Sequence, residues 1–320
     1  MAQTVNYEQK INDLIKKQQA AVEGMNEANQ AGDKAAYDRA KEEYDKIGEE
    51  INTLKTEYAA KGNKEAQAKS SYNKGNQFLR MRQYDKALVE YNTSLGIDDA
   101  NPKVYYAKAI ALKGLKRYNE SEEAYLKSIE LDPTKANVHF NLGKLYRDMD
   151  EFDKAVVQLN EALKHDTGMA KAQYEIGVTY SKRKDWNNAA IAFEKTTTID
   201  PRYAKAYGAW GRALNELKQF SNAVSPLKNA VGLDPKYADA HHFLAVAYNN
   251  LGQFTNAKNA AQAAVDNKRR FYHAYIELGH AYAGIGDKAN AIAAYEEAAK
   301  DRRLKSYAEW AIDKVRKQSQ

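Results

Sequence analysis

The sequence predicts an all-α solenoid, made by repeating one pair of helices. Three observations carry that prediction. Aromatic residues stand 34 positions apart at Tyr84, Tyr118, Phe152, Trp186, Phe220 and Phe254. A small residue follows each by three, at Ala87, Ser121, Ala155, Ala189, Ala223 and Ala257, and the series continues at Ala291. Within each unit two apolar stripes at helical spacing flank a turn near the fifteenth position. A fixed period of this length marks an array of one supersecondary unit rather than a globular catalytic domain.

The first 67 residues precede the array and read as two long helices broken at Gly32-Asp33. One carries Tyr7, Ile11, Leu14, Gln18, Ala21, Met25 and Ala28; the other carries Tyr37, Ala40, Tyr44, Ile47, Ile51, Leu54 and Tyr58. Paired so that residue numbers sum to 65, these positions form the seam of an antiparallel hairpin, with large residues facing small ones in three pairs. Arms of about 27 residues, roughly 40 Å, would overhang repeat helices of about 21 Å. Ile15 and Val22 fall beside the seam and leave a second apolar strip, which predicts self-association through the hairpin in preference to docking on the same chain.

Residues 68–305 then hold seven units, 68–101, 102–135, 136–169, 170–203, 204–237, 238–271 and 272–305. In the third, Phe140, Leu142, Gly143 and Tyr146 lie on the first helix, and Phe152, Ala155, Leu159, Ala162 and Leu163 on the second. Gly143 and Ala155 let the helices cross closely, and the aromatic at the seventeenth position fills the gap beside the crossing. Units end at Asp132-Pro133, Asp200-Pro201 and Asp234-Pro235, where proline stops one helix and starts the next. Ala109 and Ser121 replace the usual glycine and alanine of the second unit, and Pro226 should bend the second helix of the fifth by freeing the Asn222 carbonyl. Residues 306–320 form an amphipathic helix with Tyr307, Trp310, Ala311 and Val315 on one face, a cap for the last exposed core.

This pattern resembles the tetratricopeptide repeat (TPR) family over residues 68–305. The resemblance implies a right-handed superhelical solenoid that binds a protein or extended peptide along a concave groove, without catalysis or a cofactor. In the family the second, fifth, ninth, twelfth and thirteenth positions of each unit point into that groove. Carried onto this chain, they include Tyr72, Tyr106, Phe140 and Tyr174, with Asn76, Lys103, Lys144, Arg147, Lys171, Lys182, Lys205 and Arg212. Asp148, Glu216 and Asp239 oppose these cations. Aromatic rings flanked by cations suit an extended acidic peptide. No window supplies the lysines, asparagines and arginine with which some family members clamp a chaperone carboxylate.

His242, His273 and His280 also map to inward positions and are the weak candidates for a metal. RNA binding is the alternative function, supported by the basic array but disfavoured by the period of 34 and the modest charge. The chain carries 49 Lys and Arg against 43 Asp and Glu, a net +6; residues 1–67 hold 10 and 13, a net −3, so the remainder carries +9. No cysteine is present, which excludes disulfides, thiolate metal sites and a cysteine nucleophile. The apolar runs are too short to span a bilayer, and no glycine-rich phosphate loop, His-Glu-x-x-His or nucleophile elbow occurs. The opening Ala2-Gln3-Thr4 looks like the junction left by a bacterial signal peptidase, which favours an exported or periplasmic chain over a cytoplasmic one.

Overall fold

The computed structural model describes residues 6–317, so the Met1-Ala2-Gln3-Thr4 opening lies outside the described residues. Sixteen helices and no strand occur among the described residues, in two compact units, residues 1–131 and 132–320. The architecture is an all-helical, TPR-like solenoid.

The first unit holds α1 (Tyr7–Ala31), α2 (Lys34–Arg80), α3 (Tyr84–Ile97), α4 (Pro102–Gly114) and α5 (Tyr118–Leu131). Asn6 caps α1 by accepting the Gln9 N–H at 3.1 Å, and α1 ends on Gly32 at φ 68°, a conformation that suits glycine. Asp33 caps α2 through the Ala36 N–H at 3.0 Å, completing the reversal. The hairpin seam follows the sum of 65. The Tyr7 and Tyr58 rings stack at 5.7 Å, and Ile11, Leu14, Ile47 and Ile51 are buried together with Leu54 against them. Gln18 donates to the Tyr44 carbonyl at 3.3 Å.

No helix end falls at 67/68. The second arm and the first repeat share α2, whose 47 residues span roughly 70 Å. The stretch from Tyr58 to Ala68 holds Gly62-Asn63, a pair that commonly ends helices, but no proline. Gly62 stays out of the left-handed conformation, so the surrounding Ala, Lys, Glu and Gln carry the helix through. In the second repeat the two departures from the family pattern are partners: the Ser121 hydroxyl donates to the Ala109 carbonyl at 2.8 Å.

The second unit holds α6 (Ala136–Asp148), α7 (Phe152–His165), α8 (Ala170–Lys182), α9 (Trp186–Ile199), α10 (Ala204–Glu216), α11 (Phe220–Leu233), α12 (Ala238–Asn250), α13 (Phe254–Asn267), α14 (Tyr272–Ile285), α15 (Lys288–Ala298) and α16 (Lys305–Lys317). Each repeat packs its eighth position against its twenty-fourth. A Cβ on Gly143 would meet Leu159 Cγ at 2.8 Å, on Gly177 Phe193 at 2.5 Å, on Gly211 Leu227 at 2.3 Å and on Gly279 Tyr295 at 2.4 Å. The close crossing at Gly143 is therefore set by Leu159 first, with the Ala155 carbonyl at 3.1 Å. The seventeenth-position aromatics, Trp186 among them, are half-buried instead of filling the core, and Phe254 packs on Gly284 of the following repeat.

Turns between paired helices sit at the fifteenth position in left-handed backbone, at Asp150, Lys184 and Lys218 (φ 60°, 60° and 59°), Gly252 and Gly286. α11 runs unbroken through Pro226, whose ring is buried. α16 packs Ala308, Ala311, Ile312 and Val315 against α15 and its neighbours. Tyr307 and Trp310, expected on that buried face, are 42% and 55% exposed. The stripe at 308, 311, 312 and 315 is the continuous one, and it leaves both rings at its edge.

Candidate functional site

Within the first unit, the predicted groove residues are partly committed to the core. Tyr72 lies 6.2 Å from the buried Tyr91 ring, and Tyr106 lies 6.1 Å from Tyr125. Burial raises the Tyr106 phenol pKa, and neighbouring Tyr72 adds to it. Asn76 accepts the Tyr91 hydroxyl at 2.8 Å, so its side chain already has a structural partner. Lys103 is exposed at the start of α4. The fifth-position rings are thus half-buried against the twenty-fourth position of their own repeat, not wholly outward.

The second unit brings together more of the predicted residues. Lys144 Nζ sits 5.3 Å over the Phe140 ring and 3.8 Å from Glu175 Oε1. Arg147 pairs with Glu175 and, at 3.4 Å, with Asp148. Burial lowers the Lys144 pKa, and the Arg147 charge lowers it further. Glu175 was missing from the acids expected to oppose the cations; it stands on α8, 28 residues beyond Arg147, and neutralises two of them. The same step from a twelfth to the next sixth position recurs. Asn215 donates to the Phe243 carbonyl at 2.8 Å, and Asn249 donates to the Glu277 carbonyl at 2.9 Å and carboxylate at 2.8 Å.

Tyr174 stacks on Tyr203 at 5.1 Å and tilts against Phe193 at 5.4 Å. At Gly208 the missing ring is supplied by Tyr237, 2.7 Å from where a Cβ would stand, and burial pushes the Tyr237 pKa up to about 12. Tyr203, Tyr237 and Phe271 occupy the last position of repeats four to six, a set of rings sequence reasoning missed because it spans three repeats alone. The Arg212 guanidinium is 5.6 Å from the Trp186 ring and 5.7 Å from Phe243, held between two aromatics. Lys171, Lys182 and Lys205 are exposed and make no ion pair among the described residues.

The three histidines do not gather. His242 packs on Phe271 at 4.9 Å and meets His273 edge-on at 6.5 Å, and burial lowers its pKa. His280 hydrogen-bonds the Tyr307 hydroxyl at 2.8 Å and lies 3.5 Å from Glu277, a carboxylate the sequence reading did not place there. No group of three or more His, Cys, Asp or Glu among the described residues could hold a metal ion. In the first unit, Ile15 and Val22 lie on α1 and are 36% and 38% exposed. No helix among the described residues is long and apolar enough to cross a membrane.

Comparison with known proteins agrees with this architecture. The TPR repeat family matches residues 111–150, and further tetratricopeptide repeat families match 140–204 and 272–300. The plant specific mitochondrial import receptor subunit TOM20 matches residues 185–279. The chain is a tetratricopeptide repeat protein. Among solved structures, it is similar to the C-terminal part of a TPR repeat-containing protein from Cytophaga hutchinsonii, at 18% identity and TM-score 0.64, over 75% of this chain and 99% of that one. A tetratricopeptide repeat protein from Parabacteroides merdae matches at 13% identity and TM-score 0.55, over 78% and 99%. YrrB, described as a TPR protein with an unusual peptide-binding site, matches at 24% identity and TM-score 0.51, over 59% and 98%. At these identities the structures establish the fold. No curated protein sequence matches the chain. Proteins of the TPR family are generally non-catalytic scaffolds for protein–protein interaction, and that is the functional class the repeats support.

Proposed function

We propose that the chain is a non-catalytic scaffold whose repeat array, residues 68–305, binds an extended acidic segment of a protein partner along the first-helix face. The observation that carries this reading is the row at repeats four to six. There the stacked Tyr174 and Tyr203, the half-buried Tyr237 and the ring-held Arg212 accompany the unpaired Lys171 and Lys205. Rings held by packing give contact area at little entropic cost, and exposed cations steer and pair with carboxylates. Fluorescence anisotropy with labelled poly-glutamate tests it. The protein should bind, more weakly as salt rises, and the combined K171E, K205E and R212E variant should lose that binding. Binding of an RNA oligonucleotide but not poly-glutamate would favour the nucleic-acid reading instead.

The hairpin serves self-association in the same reading. Around Ile15 and Val22 the stripe Asn12, Ile15, Gln19, Val22 and Asn26 is free of charge, on a helix that is otherwise dense in it. Sedimentation at micromolar concentration should show an oligomer that I15E with V22E dissociates. A monomeric full-length chain would remove this part of the proposal and leave the groove untouched.

A further inference from the structure

α16 caps the array, yet it also keeps the repeat register. Counted in units of 34, Tyr307, Trp310 and Lys314 occupy the second, fifth and ninth positions of an eighth first helix. These positions line the proposed binding face in the preceding repeats. The difference lies in exposure. Tyr174 is half-buried against its own repeat, whereas Trp310 and Tyr307 are 55% and 42% exposed. Their rings lie 5.6 Å apart, and Lys314 Nζ sits 5.3 Å over the Trp310 ring. His280, at the ninth position of the seventh repeat, fixes Tyr307 through a 2.8 Å hydrogen bond.

Behind these rings lies a cavity of about 300 Å³ between α14 and α16, with Phe254, Ala283 and Gly284 in its wall. Its origin is a missing side chain. Arg147, Asn215 and Asn249 each reach from a twelfth position to the next first helix. The seventh repeat has Ala283 at that position, too short to reach α16, while the Phe254 ring covers Gly284 beside it. The Glu277 carboxylate is held by Asn249 and His280 and so does not offset Lys314.

We propose that this cavity is a binding subsite for a large apolar side chain carried by an acidic segment, whose neighbouring carboxylate pairs with Lys314. It rests on the groove reading and extends it to an anchor point. Exposed tryptophan and tyrosine beside a preformed cleft walled in part by Phe254, Ala283 and Val315 are the features of an energetic hot spot. The flanking cation makes an acidic neighbour the favourable one.

The test uses the full chain and two fluorescein-labelled peptides of equal length, alternating glutamate–leucine and glutamate–serine. The wild-type protein should bind the leucine peptide about tenfold more tightly than the serine peptide. Y307A with W310A should reduce the leucine peptide to the affinity of the serine peptide. The combined K171E, K205E and R212E variant should weaken both alike. Because the two rings are exposed, the double variant should keep its thermal unfolding by circular dichroism. Should it misfold, W310A alone removes a ring that is 55% exposed and should lower the leucine-to-serine preference severalfold. An unchanged leucine preference in these variants overturns the subsite and leaves the groove reading standing. Failure of the wild-type protein to bind either peptide overturns both.

Discussion

Glu175→Gln separates what the groove needs for folding from what it offers a partner. The Glu175, Arg147 and Lys144 side chains retain 17%, 13% and 32% of their exposure, so the cluster is mostly out of water. Two unit charges 4 Å apart attract by about 4 kcal/mol at an effective dielectric near 20, and desolvation offsets much of that. Glutamine keeps the size and one acceptor for Arg147 but removes the charge. The loss of stability should be about 1–3 kcal/mol, below the 3–5 kcal/mol of a fully buried pair broken outright. Binding should move the other way. Lys144 and Arg147, freed of their internal anion, become available to an incoming carboxylate, worth about a fivefold to tenfold gain for poly-glutamate. Urea unfolding and anisotropy titration on the same variant read both effects. Lower stability with unchanged affinity would refute the idea that the acidic segment passes over repeats three and four. Unchanged stability would show that the cluster is worth no more than a surface pair.

Three other predictions concern the repeat itself. Gly177→Ala improves helix propensity by about 1 kcal/mol, but its Cβ would stand 2.5 Å from the buried Phe193 ring; overpacking of about 1–3 kcal/mol should win, and a raised urea midpoint would contradict it. Lys184→Gly should stabilise by about 0.5–1 kcal/mol, because φ 60° is strained for lysine and free for glycine; a lower melting temperature would count against this. Burial holds the folded His242 pKa below its ordinary value, so the unfolded state takes up a proton first. Stability should therefore fall as pH drops through about 6.5, and His242→Phe should flatten that slope; an unchanged pH profile would place the effect elsewhere.

How much of this was legible in the sequence follows from which signals are periodic. The hairpin seam was readable because antiparallel pairing reduces to a constant sum, and the Tyr7–Tyr58 stack lies where that sum puts it. The fifteenth-position turn was readable because it recurs seven times. The continuity of α2 was not, since Gly62-Asn63 reads as a stop signal and the helix runs through it. The weight given to the seventeenth position was misplaced for a related reason. The true core residue is the twenty-fourth, but its identity changes from Tyr91 to Leu159 to Phe193, while the half-buried aromatics look alike. Glu175 escaped notice because its partner lies in the preceding repeat, and groove positions were read one repeat at a time.

Lysine footprinting of the full chain with and without poly-glutamate tests the central claim most directly. Lys171, Lys182 and Lys205 stand on or at the ends of first helices, whereas Lys195 and Lys228 are exposed on second helices. The account predicts that the acidic polymer shields the first three from acetylation and leaves the other two as reactive as in the free protein. Shielding of Lys195 and Lys228, with Lys171 and Lys205 unprotected, would put the partner on the opposite face and contradict it.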